Sequence, residues 1–177
     1  MPAAHTYVAL LRGINVGGNN IIAMAALVET FARAGYRGAH TYIQSGNVIF
    51  ETSSRDPRAL ETKLEAALSE AHEYAAKVIV RSRDEMAAIV AGMPKPWRKP
   101  IATKRYNVLF LGAAIDRPAI VDELVRRGAA QVAYQPGVVY WSATAGDAAQ
   151  AALSKVSSNR EITVRNLNTT TKLLELM

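Results

Sequence analysis

The chain contains one succession of strand-like and helix-like segments twice, and that repetition leaves few folds open to it. Tyr7-Val-Ala-Leu-Leu-Arg-Gly13 lies over Tyr106-Asn-Val-Leu-Phe-Leu-Gly112. Ile43-Gln-Ser-Gly-Asn-Val-Ile-Phe50 lies without gaps over Tyr134-Gln-Pro-Gly-Val-Val-Tyr-Trp141, and Lys77-Val-Ile-Val-Arg-Ser82 resembles Glu161-Ile-Thr-Val-Arg-Asn166. Self-similarity of this kind signals one structural unit used twice, and missing it would misread the whole fold.

Between the matched segments the apolar period changes from two to about 3.6 in the same order in both halves. Leu27, Val28, Phe31 and Ala32 recur at helical spacing, as do Leu60, Leu64, Ala67, Leu68 and Ala71, and Ile120, Val121, Leu124 and Val125 in the second half. Asp56-Pro57 supplies a carboxylate cap before a proline at the first helical position, Ser82 and Glu85 have capping-box spacing, and Gly35 marks a helix stop. Hairpins are predicted at Ser45-Gly46-Asn47 and Pro136-Gly137. Each half therefore reads β-α-β-β-α-β followed by a helix, and the fold class is α+β, two tandem ferredoxin-like units with additional helices. The strands Val8 to Leu11, Val48 to Phe50, Val108 to Leu111 and Val138 to Trp141 are apolar on both faces, which implies that the second face of each sheet is covered, most simply by the other half.

The halves meet at a basic segment. Residues 1–91 carry nine Lys/Arg and nine Asp/Glu, residues 92–105 carry five and none, and residues 106–177 carry seven and six. Three prolines in 92–105 predict a connector without helix or central strand, dividing a first unit, 1–91, from a second, 106–177. With 50% hydrophobic and 20% charged residues the 177-residue chain can build a substantial core. No apolar run reaches the roughly 18 residues of a membrane span and no signal-peptide pattern opens the chain, so a cytoplasmic protein without membrane association is expected. There are no cysteines, and His5, His40 and His72 are scattered, so no metal site is expected.

A repeated fold provides its own control, because features confined to one half need an explanation other than the shared frame. Gly13 to Gly46 spans 33 positions and Gly112 to Gly137 spans 25, giving the first half eight extra residues around Ile14-Asn-Val-Gly-Gly-Asn-Asn-Ile21. Arg12 is matched by Leu111 and Asn47 by Val138, while Leu167-Asn-Thr-Thr-Thr-Lys-Leu173 has no counterpart after Ser82. Three polar patches stand out as candidate ligand contacts: Arg12, Asn15, Gly17, Gly18 and Asn19; Gln44, Ser45 and Asn47; and Arg165, Asn166, Asn168, Thr169 and Lys172.

The segments LLRGINVGGNN, TYIQSGNVIF and VRNLNTTTKLLEL resemble the signatures of a bacterial family catalogued as domain of unknown function 1697, over nearly the entire chain. The resemblance implies paired ferredoxin-like domains and supplies no reaction, cofactor or catalytic residue.

The glycine loop can converge N–H groups on an anion or serve as a turn, but it lacks the Lys-Ser/Thr of a P-loop and the spacing of a dinucleotide fingerprint. Ser45 as a nucleophile would need a base, and no histidine is near it in sequence. Asn166 suits a helix cap. The first and third strands are expected as parallel neighbours, which puts the glycine loop and Ser45 at opposite ends of a sheet and the end of the fourth strand at the hairpin end. On that geometry a site is expected at the junction of the halves. The leading function is a binding or regulatory module for a small polar or phosphorylated ligand. The alternatives are nucleic-acid binding through Lys95, Trp97, Arg98, Lys99, Lys104 and Arg105, and an enzyme acting on a phosphorylated or nucleotide substrate with Arg12 and Lys172 stabilising charge. Cofactor and oligomeric state are left open.

Overall fold

A computed structural model describes residues 4–126 and 131–177. The chain runs β1 (His5–Leu11), α1 (Met24–Arg33), β2 (His40–Thr41), β3 (Asn47–Thr52), α2 (Pro57–His72), β4 (Val78–Ser82) and α3 (Arg83–Ala91). It then repeats the order with β5 (Lys104–Leu111), α4 (Ile120–Arg126), β6 (Gln131–Gln135), β7 (Val138–Thr144), α5 (Asp147–Ser157), β8 (Ile162–Asn166) and α6 (Leu167–Leu176). Two four-stranded sheets result, ordered β2-β3-β1-β4 and β6-β7-β5-β8. One compact unit comprises the chain through Met86 together with Leu173–Met177, and the other comprises Ala87–Lys172. No helix among the described residues is long and apolar enough to cross a membrane.

The predicted punctuation holds. Asp56 caps α2 by accepting from the N–H groups of Arg58 and Ala59 at 3.0 and 3.1 Å, with Pro57 at the first helical position. Ser82 and Glu85 form a reciprocal capping box on α3, the carboxylate accepting from Ser82 N–H at 2.7 Å and Glu85 N–H donating to Ser82 Oγ at 3.2 Å. Gly35, at φ +99°, follows the end of α1 in the left-handed conformation of a helix stop.

Strand direction corrects the expected geometry. β1 pairs with β3 and with β4 antiparallel, and β5 does the same with β7 and β8. A right-handed β-α-β crossover makes the first and second strands parallel, and the hairpin then reverses the third, so first and third must oppose one another. The loop after β1 and the β2–β3 hairpin therefore share one end of the sheet, and the ends of β4 and β8 lie at the other end.

Register corrects the sequence alignment as well. Leu11 N–H donates to Gly46 O at 2.8 Å, and Leu111 N–H donates to Gly137 O at 2.9 Å. Leu11 opposes Val78 in β4, and Leu111 opposes Ile162 in β8. Leu11 thus occupies the position of Leu111, Arg12 that of Gly112, and Tyr7 that of Asn107. The first-strand alignment by sequence was one residue out, and such a slip exchanges the two faces of a strand.

In the first unit Tyr7, Ala9, Leu11, Val48 and Phe50 face α1 and α2 and form a core with Leu27, Phe31, Leu60, Leu64 and Leu68. Val8, Leu10 and Ile49 alternate with these and are also buried. β4 lies at the sheet edge, where its Val78 and Val80 N–H groups donate to the carboxylates of Glu65 and Glu61 on α2 at 3.0 and 2.9 Å. Edge donors that would otherwise invite a further strand are thereby occupied. In the second unit Leu109, Leu111, Val139, Trp141 and Ile162 pack with Ile120, Leu124, Ala149 and Val156.

The basic segment is more structured than its prolines suggested. Lys95–Arg98 forms a short 3-10 helix, and β5 begins at Lys104. Trp97 is buried edge-on against Tyr106 and Tyr140, which lie on the second face of the β5–β8 sheet. Tyr140 OH donates to Ile89 O at 2.6 Å, and burial pushes this phenol up to about 12. Part of the second face of that sheet is therefore covered by the connector itself.

Gly46 holds the hairpin end of the first sheet together. Its φ is +72°, and a Cβ there would lie 2.9 Å from Leu11 Cβ and from Ile14 Cγ1. Gly13 has a similar φ of +73° with nothing within 4 Å of a Cβ. Urea unfolding should therefore show Gly46→Ala losing about 3 kcal/mol and Gly13→Ala losing only about 1 kcal/mol. Equal losses in the two variants would mean that the contact with Leu11 and Ile14 is unimportant.

Candidate functional site

The first two patches expected from the sequence come together at the hairpin end of the first sheet, and they do so by bonding to one another. Gly17 and Gly18, at φ +59° and +77°, make a two-residue turn between Val16 and Asn19, which pair as an antiparallel bridge. Asn15 Nδ2 donates to Ile22 O at 3.0 Å and to Gln44 O at 3.1 Å, while its Oδ1 accepts from Ile22 N–H at 2.8 Å. Asn20 Nδ2 donates to Gly13 O at 2.8 Å. Asn47 is fully buried and donates to Tyr42 O at 2.9 Å and Ser45 Oγ at 3.0 Å. Asparagine amides supply both donors and an acceptor to a loop whose backbone cannot satisfy itself, and here they brace two loops whose strands open in opposite directions. Arg12 is half-buried, and its N–H donates to Lys77 O at 2.9 Å. Asn19 and Gln44 are exposed and Ser45 half-buried.

The third patch divides between the two faces of the second sheet, because neighbouring strand residues point to opposite sides. Arg165 lies on the face away from Val164 and the helix-side core. It is buried, donating to Thr163 Oγ1 at 3.0 Å and Val164 O at 2.8 Å, and burial pulls its guanidinium down to about 10. Arg81 holds the same place in the first unit, opposite Val8, is also buried, and donates to Val80 O at 2.9 Å. An arginine present in both units at one register position belongs to the shared frame. Thr169 is buried and Lys172 exposed, both on α6. The threonine run is helical because Thr170 and Thr171 return their hydroxyls to the carbonyls of Asn166 and Leu167 at 2.9 and 3.1 Å.

Asn166 and Asn168 reach a feature that no patch anticipated. On the helix side of the second sheet a cleft of about 800 Å³ lies between the start of β5, Trp141 of β7, the first turns of α5 and the start of α6. The pairings Trp141 with Asn107 and Asn107 with Asn166 set these three side chains in one row across β7, β5 and β8. The corresponding row in the first unit is Phe50, Tyr7 and Ser82. There the Tyr7 ring stacks on Phe50 at 5.9 Å and its hydroxyl donates to Ser54 O at 3.1 Å, so an aromatic side chain fills the position that Asn107 holds in the second unit. Arg105 lies two residues before Asn107 on the same face, and Lys104 lines both this cleft and a smaller cavity of about 210 Å³ on the other face. Among the described residues the cleft lining includes one carboxylate, Asp147, and no histidine, serine or threonine.

The sequence does contain a signal for this site. Asn107 is a polar residue within the apolar strand Tyr106-Asn-Val-Leu-Phe-Leu111, but the slipped alignment set it against Val8 rather than Tyr7. Lys104 and Arg105 were read as connector charge, and nothing local ties Trp141 or Gly146 to them. Trp97, the aromatic member of the connector in the nucleic-acid alternative, is 5% exposed and engaged with two tyrosines.

Asn166 has a structural duty beside its place in the cleft: its Oδ1 accepts from Thr169 N–H at 2.8 Å and caps α6. Asn166→Ala should cost about 1 kcal/mol of unfolding free energy, whereas Asn168→Ala, which removes no cap, should leave the denaturation midpoint in place. A midpoint shift confined to the Asn168 variant would contradict this assignment.

Comparisons with known proteins agree with the fold and stop short of a reaction. The model of the family DUF1697, a protein of unknown function, matches residues 4–140, short of the Val164–Leu176 segment included in the resemblance above. Comparison with curated proteins gives no match. A solved structure of a conserved bacterial protein, SP0830 from Streptococcus pneumoniae, is 26% identical, covers 98% of this chain with 98% of its own, and superposes with a TM-score of 0.79. With the family model spanning well over half its length, the chain belongs to the DUF1697 family.

Proposed function

We propose that the protein is a binding module for a small polar ligand, held in the helix-side cleft of its second unit. One observation carries this reading: the same row of the same sheet is filled by Tyr7 in the first unit and left open beside Asn107 in the second. A cleft of about 800 Å³ falls in the range of small-molecule sites, and its polar groups come from three strands and the starts of two helices. Asn166 and Asn168 are the sequence candidates that enter it. Arg12, Asn15, Gly17, Gly18, Asn19, Gln44, Ser45 and Asn47 belong to the first unit, where the asparagines build the loop frame; Arg165 lies on the other face of the second sheet.

Binding is favoured over catalysis because the cleft lining carries a single carboxylate, Asp147, and no histidine among the described residues, so it offers no carboxylate pair or carboxylate–histidine pair for proton transfer. It is favoured over base stacking on the connector because the Trp97 ring is already packed.

The first unit suggests the test. Asn107→Tyr copies the first unit's solution into the second and should fold, with a circular dichroism spectrum like that of the parent. In a thermal-shift screen of small polar metabolites, a compound that raises the parent's Tm should leave the Asn107→Tyr variant unmoved. An equal rise in a folded variant would remove the cleft as the site.

A further inference from the structure

We propose that the ligand of this cleft presents the edge of a flat heterocycle, a ring N–H beside a carbonyl as in a nucleobase, paired with the side-chain amide of Asn107, an inference that rests on the cleft being the binding site. Asn107 is 9% exposed and lines the cleft. Alternation along β5 sets it on the helix side with Leu109 and Leu111, which belong to the core there. Among the described residues its side-chain amide has no hydrogen-bond partner. Unlike the indole nitrogen of Trp141, its polar atoms are not sealed off, so its unmet bonding capacity opens into the cleft. The first unit leaves no such group at this position, because the Tyr7 hydroxyl is bonded to Ser54 O.

A side-chain amide carries two donors on nitrogen and an acceptor on oxygen, and leaving them unmet when buried is costly. A ligand that displaces water from Asn107 must therefore offer a donor and an acceptor side by side. The edge of a lactam or nucleobase does so through two parallel hydrogen bonds, whereas a carboxylate offers acceptors alone and an ammonium donors alone. The walls distinguish a flat ring from a polyol. Pro100, Ile101, Leu153 and Leu167 line the cleft beside Trp141. Apolar walls suit the faces of a heterocycle, whose polar atoms lie in its plane. A polyol carries hydroxyls around its whole rim and would press several of them against carbon, unbonded.

Uridine, inosine and guanosine each carry an N–H beside a carbonyl, and methylation of that ring nitrogen removes the donor. In calorimetric titrations of the whole protein at least one of the three should bind saturably, and its ring-N-methyl counterpart should bind about tenfold more weakly or worse. In proton–nitrogen correlation spectra the same nucleoside should move the side-chain NH2 pair of Asn107, identified by its absence from Asn107→Leu. That variant keeps the size of the side chain without its hydrogen bonds, and it should bind the nucleoside and its methylated counterpart alike; Asn107→Ala serves if the leucine variant does not fold. The proposal is overturned if none of the three nucleosides binds, if the parent does not distinguish the methylated compound, or if the distinction survives in a folded Asn107→Leu or Asn107→Ala variant. Should sorbitol bind and be blocked by Asn107→Tyr while the nucleosides do not bind, the cleft stands as the site and the heterocycle assignment falls. Should a nucleoside bind with equal affinity to a folded Asn107→Tyr variant, the cleft reading itself fails.

Discussion

A backbone hydrogen bond from the last residue of the first strand to the hairpin glycine, made by Leu11 to Gly46 and by Leu111 to Gly137, sets the register on which everything else depends. Once that bond is made, alternation decides which side chains meet the helices and which meet the opposite face. Tyr7, Ala9 and Leu11 enter the core of the first unit, and Asn107, Leu109 and Leu111 take the same side of the second. A shift of one residue would bury Val8 and Val108 there instead and turn Asn107 away from the cleft. The glycine is required because the strand must approach closely: at Gly46 a side chain would run into Leu11 and Ile14.

On that frame the two units resolve one packing problem in two ways. The first fills the open end of its helix-side layer with stacked rings, Tyr7 on Phe50, and anchors the phenol to Ser54 O. The second sets Asn107 beside Trp141, and the volume that a ring would occupy is left as a cleft with Arg105 at its edge. A buried indole N–H without an acceptor is unfavourable in a finished core, where polar groups are normally paired.

The first unit places its polar loop residues in a different role. Asn15, Asn20 and Asn47 turn their amides onto backbone carbonyls, so the loop with the strongest ligand-like composition is largely engaged with itself. Glycine and asparagine are the residues of anion cradles and also the residues of left-handed turns, and composition alone cannot separate the two uses. The loops meet because β1 and β3 are antiparallel, and the expectation that they would be parallel set those loops apart. That error lay in a connection rule, since the identities of the residues in the strands were read correctly.

The sequence by itself determined the element order, the caps at Asp56, Ser82 and Asn166, the hairpin glycines and the two-sided burial of the strands, because each is a local consequence of periodicity, φ preference or side-chain reach. It also contained Asn107, a polar interruption in an apolar strand. Only the tertiary structure decided which face Asn107 occupies, that Arg165 points away from Asn166 and that Trp141, Asn107 and Asn166 share a row. Hydrogen bonds between strands distant in sequence fix a register to a single residue, and no pattern within one strand carries that information.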